Sequence, residues 1–137
     1  MKHEIKTLKI KTNGQGLYEF TQQIIKWLNK KKIAVGLLTI YIRHTSCSLL
    51  IQENADDDVK KDLLNFFTQI APENSNYIHN SEGPDDMPAH IKSALTQTNL
   101  SIPIENYKLA LGTWQGIYLF EHRKITHKRE IKLHLIC

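Results

Sequence analysis

Imidazole and carboxylate side chains are concentrated in one short segment of this sequence. Residues 79–90 contain two histidines, His79 and His90, and three carboxylates within twelve positions. Such a density favours either a divalent cation site or proton transfer, because imidazoles and carboxylates serve both purposes. Mixed ligands suit zinc or another transition metal, whereas carboxylates and water alone would suit magnesium. The spacing matches no tight zinc motif, so a solvated polar loop is the alternative interpretation.

A second group of reactive side-chain types lies at Arg43-His44-Thr45-Ser46, where an apolar strand pattern breaks. An imidazole and two hydroxyls at such a break can leave the core and face a cleft. The alternative is an ordinary turn whose hydroxyls bond to the backbone. Thr45 or Ser46 would need a base within hydrogen-bond reach to act as a nucleophile.

Glu53 ends the next apolar segment, directly before Asn54. The three aspartates at 56–58 that follow are typical of a helix start, because carboxylates there complement the positive N-terminal end of the helix dipole. Glu53 lies just before this predicted helix start. A carboxylate in its position can point into a pocket, which makes it a candidate site residue.

The segment Gly112-Thr113-Trp114-Gln115-Gly116-Ile117 places two glycines inside a strand pattern. Glycine there predicts a bulge or a close approach by a ligand or a neighbouring subunit. Trp114 is either a core residue or a binding platform. The same pattern ends at Glu121-His122-Arg123, which offers a carboxylate, an imidazole and a guanidinium suited to phosphate.

The elements that must position these side chains follow from hydrophobic periodicity. The strands lack the regular alternation with helices of a doubly wound sheet, so we predict an α+β fold with a largely antiparallel sheet partly covered by helices. The length fits one domain over residues 1–137. The predicted strands are 4–12, 33–42 (a central strand covered on both faces), 46–52, 100–104, 109–121 and 130–136; the predicted helices are 17–28, 59–70 and a short one with Pro88 in its first turn, ending at Leu95; a long polar loop spans 71–87.

Asp86 and His90 are four positions apart, so they share one face if the short helix begins there. His79 lies in the long polar loop that precedes it. Loops of this length in compact domains are usually functional or mobile. The predicted elements therefore allow His79, Asp86 and His90 to form one site.

Composition and cysteine usage narrow the class of protein. The sequence is 41% hydrophobic and 23% charged, as in an ordinary globular protein. The longest apolar stretch, 33–42, is far shorter than the roughly 20 residues of a membrane-spanning helix. The N-terminus lacks a signal-peptide pattern, and Cys47 and Cys137 fit free thiols rather than a disulfide framework or a zinc finger. We therefore expect a cytoplasmic protein without a membrane partner.

The net charge of +4 and the pI near 9.0 raise the question of nucleic-acid binding. The basic residues form two clusters, Lys26/Lys30/Lys31/Lys32 and Arg123/Lys124/Lys128/Arg129. The excess charge is modest, and Glu130 interrupts the second cluster. We expect solvated turn ends instead of a nucleic-acid partner; steeply salt-dependent binding to DNA or RNA would contradict this expectation.

The segments described above, taken in order, resemble the YjbQ family, the secondary thiamine-phosphate synthase group. The likeness spans nearly the whole chain, and Glu121-His122-Arg123 resembles the end of the same pattern. The matching segments are Leu38-Thr39 through His44-Thr45-Ser46, Glu53-Asn54-Ala55-Asp56, Asn76-Tyr77-Ile78-His79, Asp85 through Ser93, and Gly112 through Ile117.

The resemblance implies an α+β domain that assembles as a homotrimer and has weak thiamine-phosphate synthase activity. This transferase reaction joins an aminopyrimidine pyrophosphate to a thiazole phosphate and releases pyrophosphate. On this hypothesis a divalent metal, zinc or magnesium, is held by His79, Asp86 and His90, while His44 and Glu121 are catalytic residues that handle protons. The expected substrate-binding residues are Arg43, Thr45, Ser46, Glu53, Asn54, Thr113, Gln115, Gly116 and Arg123.

One feature of the sequence leaves the chemistry open. The sequence has no Gly-rich phosphate loop of recognised type, so phosphate would have to be bound by scattered basic side chains. The alternative to an enzyme is a protein that binds a metal or a small ligand without turnover.

Overall fold

Two antiparallel β-sheets and three helices form the fold of residues 1–137, all of which the computed structural model describes. Strands that cluster into antiparallel sheets, with separate helices, confirm the predicted α+β class. In chain order the elements are β1 (His3–Asn13), β2 (Gly16–Glu19), α1 (Thr21–Asn29), β3 (Val35–Ile42), β4 (Cys47–Glu53), α2 (Asp57–Ile70), α3 (Asp86–Leu95), β5 (Asn99–Glu105), β6 (Lys108–Leu109), β7 (Gln115–Glu121) and β8 (Thr126–Ile136).

β3 is the central strand of the five-stranded sheet, whose order is β1-β8-β3-β5-β6. Leu38, Ile40 and Ile42 of β3 are buried and face the core. Val35 and Leu37 are exposed, because they lie on the face of the sheet that is turned away from the core. The prediction of a central strand is therefore confirmed, but the prediction that both of its faces are covered is wrong within one chain.

β7 is the central strand of the smaller sheet, whose order is β2-β7-β4. Ile117 and Leu119 belong to the core, whereas Phe120 lies on the other face of the strand, towards α2. There the ring of Phe67 meets Phe120 edge-on, with centroids 5.2 Å apart. Because β7 is buried on both faces, the residues that follow it are held in a fixed position.

The hydrophobic core is shared by both sheets and α1. Burial of an aliphatic or aromatic side chain of this size contributes about 1.5–3 kcal/mol, so these side chains hold the two sheets together. The fourteen residues of the core are Phe20, Ile24, Leu38, Ile40, Ile42, Cys47, Leu49, Ile102, Ile104, Ile117, Leu119, Ile131, Leu133 and Leu135.

α3 packs against the beginning of β4. The helix contains Pro88 in its first turn and ends at Leu95, as predicted. The hydroxyl of Ser93 donates a hydrogen bond to the carbonyl oxygen of Cys47 at 3.2 Å. α3 starts at Asp86, so this carboxylate lies in the first helical turn and shares a helix face with His90.

α2 begins as its acidic residues predict. The side chain of Asp56 caps the helix by accepting a hydrogen bond from the backbone N–H of Asp58 at 2.9 Å. Asp57 and Asp58 occupy the first turn. With 14 residues α2 is the longest helix, and none of the three helices has the length and apolar character needed to cross a membrane.

Several predicted boundaries differ from the structure, and the strand expected from residue 130 begins four residues earlier, at Thr126. The helix expected from residue 17 begins at Thr21, because residues 16–19 form β2, in which Leu17 pairs with Phe120. Sheet pairing here overrides the local helical spacing. The strand expected over 109–121 is also interrupted, because a turn at residues 110–114 separates β6 from β7.

Candidate functional site

Three of the predicted site residues meet at the N-terminal end of α3. The donor atoms of His79, Asp86 and His90 all lie within 4.8 Å of one another. Oδ2 of Asp86 is 2.6 Å from Nε2 of His79 and 3.2 Å from Nε2 of His90. The side chain of Asp86 is 2% exposed, whereas those of His79 and His90 are 43% and 32% exposed. The group therefore has a buried carboxylate and an accessible side formed by two imidazoles.

The orientation of His90 is fixed by the backbone of the 43–46 segment. Its Nδ1 lies 2.8 Å from the carbonyl oxygen of Thr45, and a carbonyl can only accept a hydrogen bond. Nδ1 therefore carries a hydrogen, and Nε2 faces Oδ2 of Asp86. Two acceptors at 3.2 Å repel each other unless a proton or a cation lies between them.

The second oxygen of Asp86 is held by Arg123. NH1 of Arg123 donates to Oδ1 of Asp86 at 2.6 Å, and Nε donates to Oδ2 of Asp85 at 3.0 Å. NH2 donates to the carbonyl oxygen of Glu82 at 2.9 Å. The guanidinium expected to bind substrate thus makes three bonds inside the site, so its contribution is to hold the two aspartates in place.

Both aspartates are ionised near neutral pH. Burial alone would raise the pKa of Asp86, but the hydrogen bond to His79 and the charge of Arg123 outweigh it and lower the pKa. Burial likewise opposes the ionised form of Asp85, and bonds from the backbone N–H of Lys124 and from Arg123 lower its pKa. Asp86 therefore presents a full negative charge to the two imidazoles.

A polar cavity of about 550 Å³ lies beside the cluster, with His79 in its wall. It is formed by the long loop between α2 and α3. Tyr77 donates a hydrogen bond to the carbonyl oxygen of Pro72 at 2.7 Å, and Lys124 pairs with Glu73 at 2.6 Å, so both residues tie the loop down. The other residues of the cavity wall are Ser75, Asn76, Ile78, Asn80, Gly83 and Pro84.

Glu121 lies in an environment that argues against the proton-carrying role expected for it. Its carboxylate is completely buried and makes two bonds with Arg129, at 2.5 Å and 2.7 Å. It also accepts from the hydroxyl of Thr12 and from two backbone N–H groups. Burial would raise its pKa, but the bonds from Arg129 and Thr12 lower it. Glu121 is thus a permanently charged structural group that fixes the end of β7.

His44 is not part of the cluster. Its Nε2 accepts a hydrogen bond from the backbone N–H of Glu130 at 2.9 Å, so the ring is turned towards β8. Burial and the nearby charge of Arg129 lower its pKa, which keeps the ring neutral. The nitrogen that could act as a base is therefore already used by the backbone.

The neighbours of His44 contact the site in different ways. Thr45 supplies the carbonyl that orients His90, while the hydroxyl of Ser46 accepts from NH2 of Arg129 at 3.0 Å. Arg43 is exposed and lies 3.7 Å from a carboxylate oxygen of Glu130. Of this segment, the structure thus places only Thr45 in contact with the histidine cluster.

The remaining predicted site residues lie at the opposite end of the smaller sheet. Cys47 pairs with Glu121 at one end of β4, and Glu53 pairs with Gln115 at the other. At about 3.3 Å per residue, this separates the two ends by about 20 Å. Within one chain these residues therefore do not share a pocket with the histidine cluster, and the expectation of one site is left to an arrangement between subunits. The distant set is Glu53, Asn54, Thr113, Gln115 and Gly116.

This distant set makes its own contacts. The amide of Asn54 donates to a carboxylate oxygen of Glu19 at 3.3 Å, and Gln115 accepts from the backbone N–H of Gly112 at 2.7 Å. A Cβ at Gly116 would lie 2.7 Å from the same Glu19 oxygen. The close approach predicted at Gly116 thus comes from Glu19. Glu53 keeps one buried carboxylate oxygen without a hydrogen-bond partner.

The sequence patterns assigned no role to Asp85, Thr12 or Arg129. Asp85 receives hydrogen bonds from both Arg123 and Lys124, and the Asp85-Asp86 repeat was the only local signal for a shared basic partner. Arg129 was counted as part of a basic surface cluster, although it is buried. Local patterns do not reveal these partners, because Thr12 and Asp85 are paired with segments far away in the chain and Arg129 meets Glu121 from a strand of the other sheet.

The comparison with known proteins covers almost the whole chain. The family model described as UPF0047 protein YjbQ-like matches residues 6–137. UPF0047 protein sll1880 of Synechocystis sp. is 51% identical over 129 residues, covering 93% of this chain and 88% of the relative. UPF0047 protein YjbQ of Escherichia coli O157:H7 is 42% identical over 119 residues, covering 86% of each chain.

The functional expectation drawn from the resemblance is corrected by these relatives. Their names give only the UPF0047 family and no thiamine-phosphate synthase, and a YjbQ-like structure from Sulfolobus solfataricus is described as a protein of unknown function. The expected thiamine-phosphate synthase activity is therefore contradicted. The family resemblance predicted the fold correctly, but the reaction that it implied is contradicted.

Solved structures agree with the architecture. An uncharacterised YjbQ/UPF0047 family protein from Clostridium acetobutylicum has a TM-score of 0.84 at 33% identity, covering 97% of this chain and 99% of its own. A conserved hypothetical protein from Thermus thermophilus has a TM-score of 0.83 at 31% identity, with coverages of 93% and 97%. Sequence and structure agree over nearly the full length, and this chain belongs to the UPF0047 (YjbQ-like) family.

Proposed function

We propose that this chain binds a zinc ion through His79, Asp86 and His90, and that it is a metal-dependent hydrolase acting on a small polar substrate. The observation that carries the proposal is the geometry of His90. Its Nδ1 is tied to the Thr45 carbonyl, and its Nε2 faces a charged carboxylate oxygen at 3.2 Å. Such an arrangement calls for a positive charge between the two atoms.

The donor set fits zinc better than magnesium. Zinc accepts imidazole and carboxylate ligands, whereas magnesium prefers oxygen ligands and bound water. Donors around a tetrahedral zinc lie about 3.3 Å apart, as follows from bond lengths of about 2.0–2.1 Å. The Asp86–His90 separation of 3.2 Å matches this value, and the His79–Asp86 separation of 2.6 Å would need to widen.

Three protein ligands are the number found in catalytic zinc sites, which keep one position open for water or substrate. A zinc ion bound there would supply Lewis-acid activation of water or of a substrate oxygen. The surrounding residues support this role: Thr45 orients His90, and Arg123 fixes Asp86 through its second oxygen. His79 is the ligand that borders the polar cavity, which gives a small molecule a route to the open side of the ion.

Zinc binding is tested on purified protein by elemental analysis and by calorimetric titration of the metal-free form. We expect one zinc per chain, and we expect His79→Ala and His90→Ala each to weaken binding by at least about tenfold. His127→Ala is the matched control, because its Nδ1 faces the carbonyl of Ile125 outside the cluster. Equal zinc affinity in all four proteins would remove the proposed site.

Hydrolytic activity is tested with p-nitrophenyl acetate and p-nitrophenyl phosphate as generic ester and phosphoester probes, together with a peptide amide. We expect turnover of at least one class that is lost with chelator and restored by zinc. A zinc-loaded wild type that turns over none of them faster than His90→Ala would contradict the enzyme part of the proposal while leaving the metal site intact.

The second candidate is a metal-binding protein without turnover. It is favoured by one observation: His44 and Glu121, the residues expected to carry protons, are both committed to structural hydrogen bonds. No other base was assigned near the cluster. Zinc binding combined with the absence of chelator-sensitive turnover would support this candidate.

We also propose that the chain assembles as a homotrimer, as the family resemblance implies. Support for self-association comes from the outer face of the five-stranded sheet, where Ile5, Val35, Leu37 and Tyr41 are exposed apolar side chains. Light scattering coupled to gel filtration should give three times the mass of one chain. Leu37→Asp should reduce it, whereas Lys61→Asp on α2 should not. A wild type with the mass of one chain would contradict the assembly.

A cytoplasmic location is a further part of the proposal. It is supported by Cys47 and Cys137, which are both free thiols. Free cysteines are typical of proteins kept in a reducing compartment. Fractionation of cells that produce the protein tests this expectation, and recovery from an extracytoplasmic fraction would contradict it.

A further inference from the structure

An apolar cavity of about 340 Å³ lies between α1 and the β5–β6 hairpin. These elements contribute no residue to the histidine cluster, so the cavity is separate from the proposed metal site. Its volume is at the lower end of the range of about 300–1,000 Å³ that is usual for small-molecule sites. Its apolar wall is formed by Ile25, Leu28, Ile33, Ile104, Leu109 and Leu111.

The polar groups of the wall all offer hydrogen-bond donors or a positive charge. They belong to the lining residues Asn29, Tyr107 and Lys108, whose side chains end in an amide, a phenol and an ammonium. Lys108 makes no ion pair or side-chain hydrogen bond in this chain, and no carboxylate lines the cavity. Glu105 is the cross-strand partner of Lys108, but its carboxylate neither pairs with the ammonium nor forms part of the wall.

The basic character extends along the adjoining loop. Lys30 and Lys32 are exposed and lie in the segment that leads from α1 to Ile33. They belong to the lysine cluster that was expected to be a solvated turn end. Lys31 differs from its neighbours because it pairs with Glu4. Lys30 and Lys32 lie between the wall residues Asn29 and Ile33 in the chain, so they add positive charge to the loop beside the cavity.

The turn at the edge of the cavity is strained. Asn106 and Tyr107 have φ values of +50° and +66°, the left-handed region. A two-residue hairpin turn of this kind favours Asn-Gly, and a bulky residue at the second position is an outlier. Tyr107 is nevertheless held there, with its N–H donating to the carbonyl oxygen of Ala34 at 3.3 Å. Strain kept at a ligand-sized cavity points to a role for the phenol at its mouth.

We propose that this cavity binds a small carboxylic acid with a hydrocarbon chain, in the manner of a short or medium-chain fatty acid. The hydrocarbon chain fills the space lined by the aliphatic residues. The carboxylate lies at the mouth, where Lys108 supplies the charge and the phenol of Tyr107 donates a hydrogen bond. The apolar interior suits the hydrocarbon chain, and the only charged residue of the wall, Lys108, suits the carboxylate.

The probe is octanoate, with octanol as the uncharged ligand of the same length. Calorimetric titration of the wild type should give one octanoate per chain and weaker binding of octanol. In methyl NMR spectra the shifts should concentrate on Ile25, Ile33 and Ile104, which tests the location without any substitution. Absence of octanoate binding, or shifts confined to other residues, would overturn the proposal.

Three variants test the two halves of the cavity. Leu109→Trp should fill the space and abolish binding, while Lys108→Glu should weaken octanoate by about fivefold and leave octanol unchanged. Lys61→Glu on α2 carries the same charge change away from the cavity and should bind like the wild type. Octanoate binding that is unchanged in both Leu109→Trp and Lys108→Glu would place the ligand elsewhere and overturn the proposal.

Discussion

Nε2 of His90 lies 3.2 Å from Oδ2 of Asp86, one helical turn earlier in α3, although the other nitrogen of His90 is already engaged by a backbone carbonyl. Asp86 is 2% exposed and is ionised, so Nε2 of His90 meets a buried negative charge that a proton or a cation must balance. The proposed cation site rests on this relationship. Carboxylates are ordinary at a helix start, but here the carboxylate also faces two imidazoles.

The first prediction concerns Arg123, whose guanidinium bonds to Asp85, Asp86 and the Glu82 carbonyl. Arg123→Lys keeps the charge but cannot reproduce the planar fork, so Asp86 loses its fixed orientation. We expect zinc affinity to fall about 10- to 100-fold, as for other residues that orient metal ligands. Calorimetric titration measures the change.

Lys124→Ala is the control for this prediction. It removes the neighbouring positive charge, whose ammonium pairs with Glu73 and not with Asp86. Zinc affinity should stay within about twofold of the wild type. If Arg123→Lys binds zinc as tightly as Lys124→Ala, Arg123 does not position the site.

The second prediction concerns the buried pair of Glu121 and Arg129. Glu121→Gln leaves the guanidinium of Arg129 without its charged partner in a buried environment, which we expect to cost about 3–5 kcal/mol of unfolding free energy. Urea denaturation measures it. The double variant Glu121→Met/Arg129→Met should be less destabilised, because no unpaired charge remains.

Glu105→Gln serves as the control for the buried pair, because Glu105 is exposed and forms no ion pair. It should change the unfolding free energy by less than about 0.5 kcal/mol. A Glu121→Gln protein with the stability of Glu105→Gln would contradict the assignment of Glu121 as a structural charge.

The third prediction concerns pH. Burial lowers the pKa of His122 to about 3, from an ordinary value of 6.5, and its Nε2 lies 2.9 Å from the hydroxyl of Ser48. The unfolded chain therefore takes up a proton below about pH 6.5, whereas the folded chain does so only near pH 3. Stability falls as the pH falls through this window, by up to about 1.4 kcal/mol per pH unit from this group.

His122→Gln retains an amide near Ser48 but does not titrate. Its unfolding free energy should therefore fall less steeply than that of the wild type between about pH 6.5 and pH 4, as measured by urea denaturation at each pH. Equal slopes in the wild type and His122→Gln would contradict the buried, neutral state assigned to His122.

Part of the site could be predicted from residue spacing alone. Asp86 and His90 are four positions apart beside a proline that suits a first helical turn, so their shared face follows from helix geometry. The density of imidazoles and carboxylates over 79–90 favoured a cation site or proton transfer, and the structure brings His79 to the same carboxylate. Local patterns were sufficient here because the three side chains come from one continuous segment.

Other parts depend on strand pairing, which the sequence does not specify. Glu53 and Glu121 were assigned to one pocket, but the register of β4 with β7 places them at opposite ends of the smaller sheet. The buried partner of Glu121 is Arg129, which lies eight residues later on a strand of the other sheet. Because Glu121 is followed by a histidine and an arginine in sequence, it was predicted to be catalytic. Its bonds to Arg129 in the folded chain show instead that it is a structural residue.

The most direct test of the metal site is anomalous X-ray scattering at the zinc edge from crystals of the zinc-loaded protein. We predict one peak per chain bonded to Nε2 of His79, Oδ2 of Asp86 and Nε2 of His90, at about 2.0–2.2 Å. The Thr45 carbonyl should keep its bond to Nδ1 of His90. A crystal with no peak at these atoms, and with His90 and Asp86 still at hydrogen-bonding distance, would show that a proton fills the gap and would contradict the proposed zinc site.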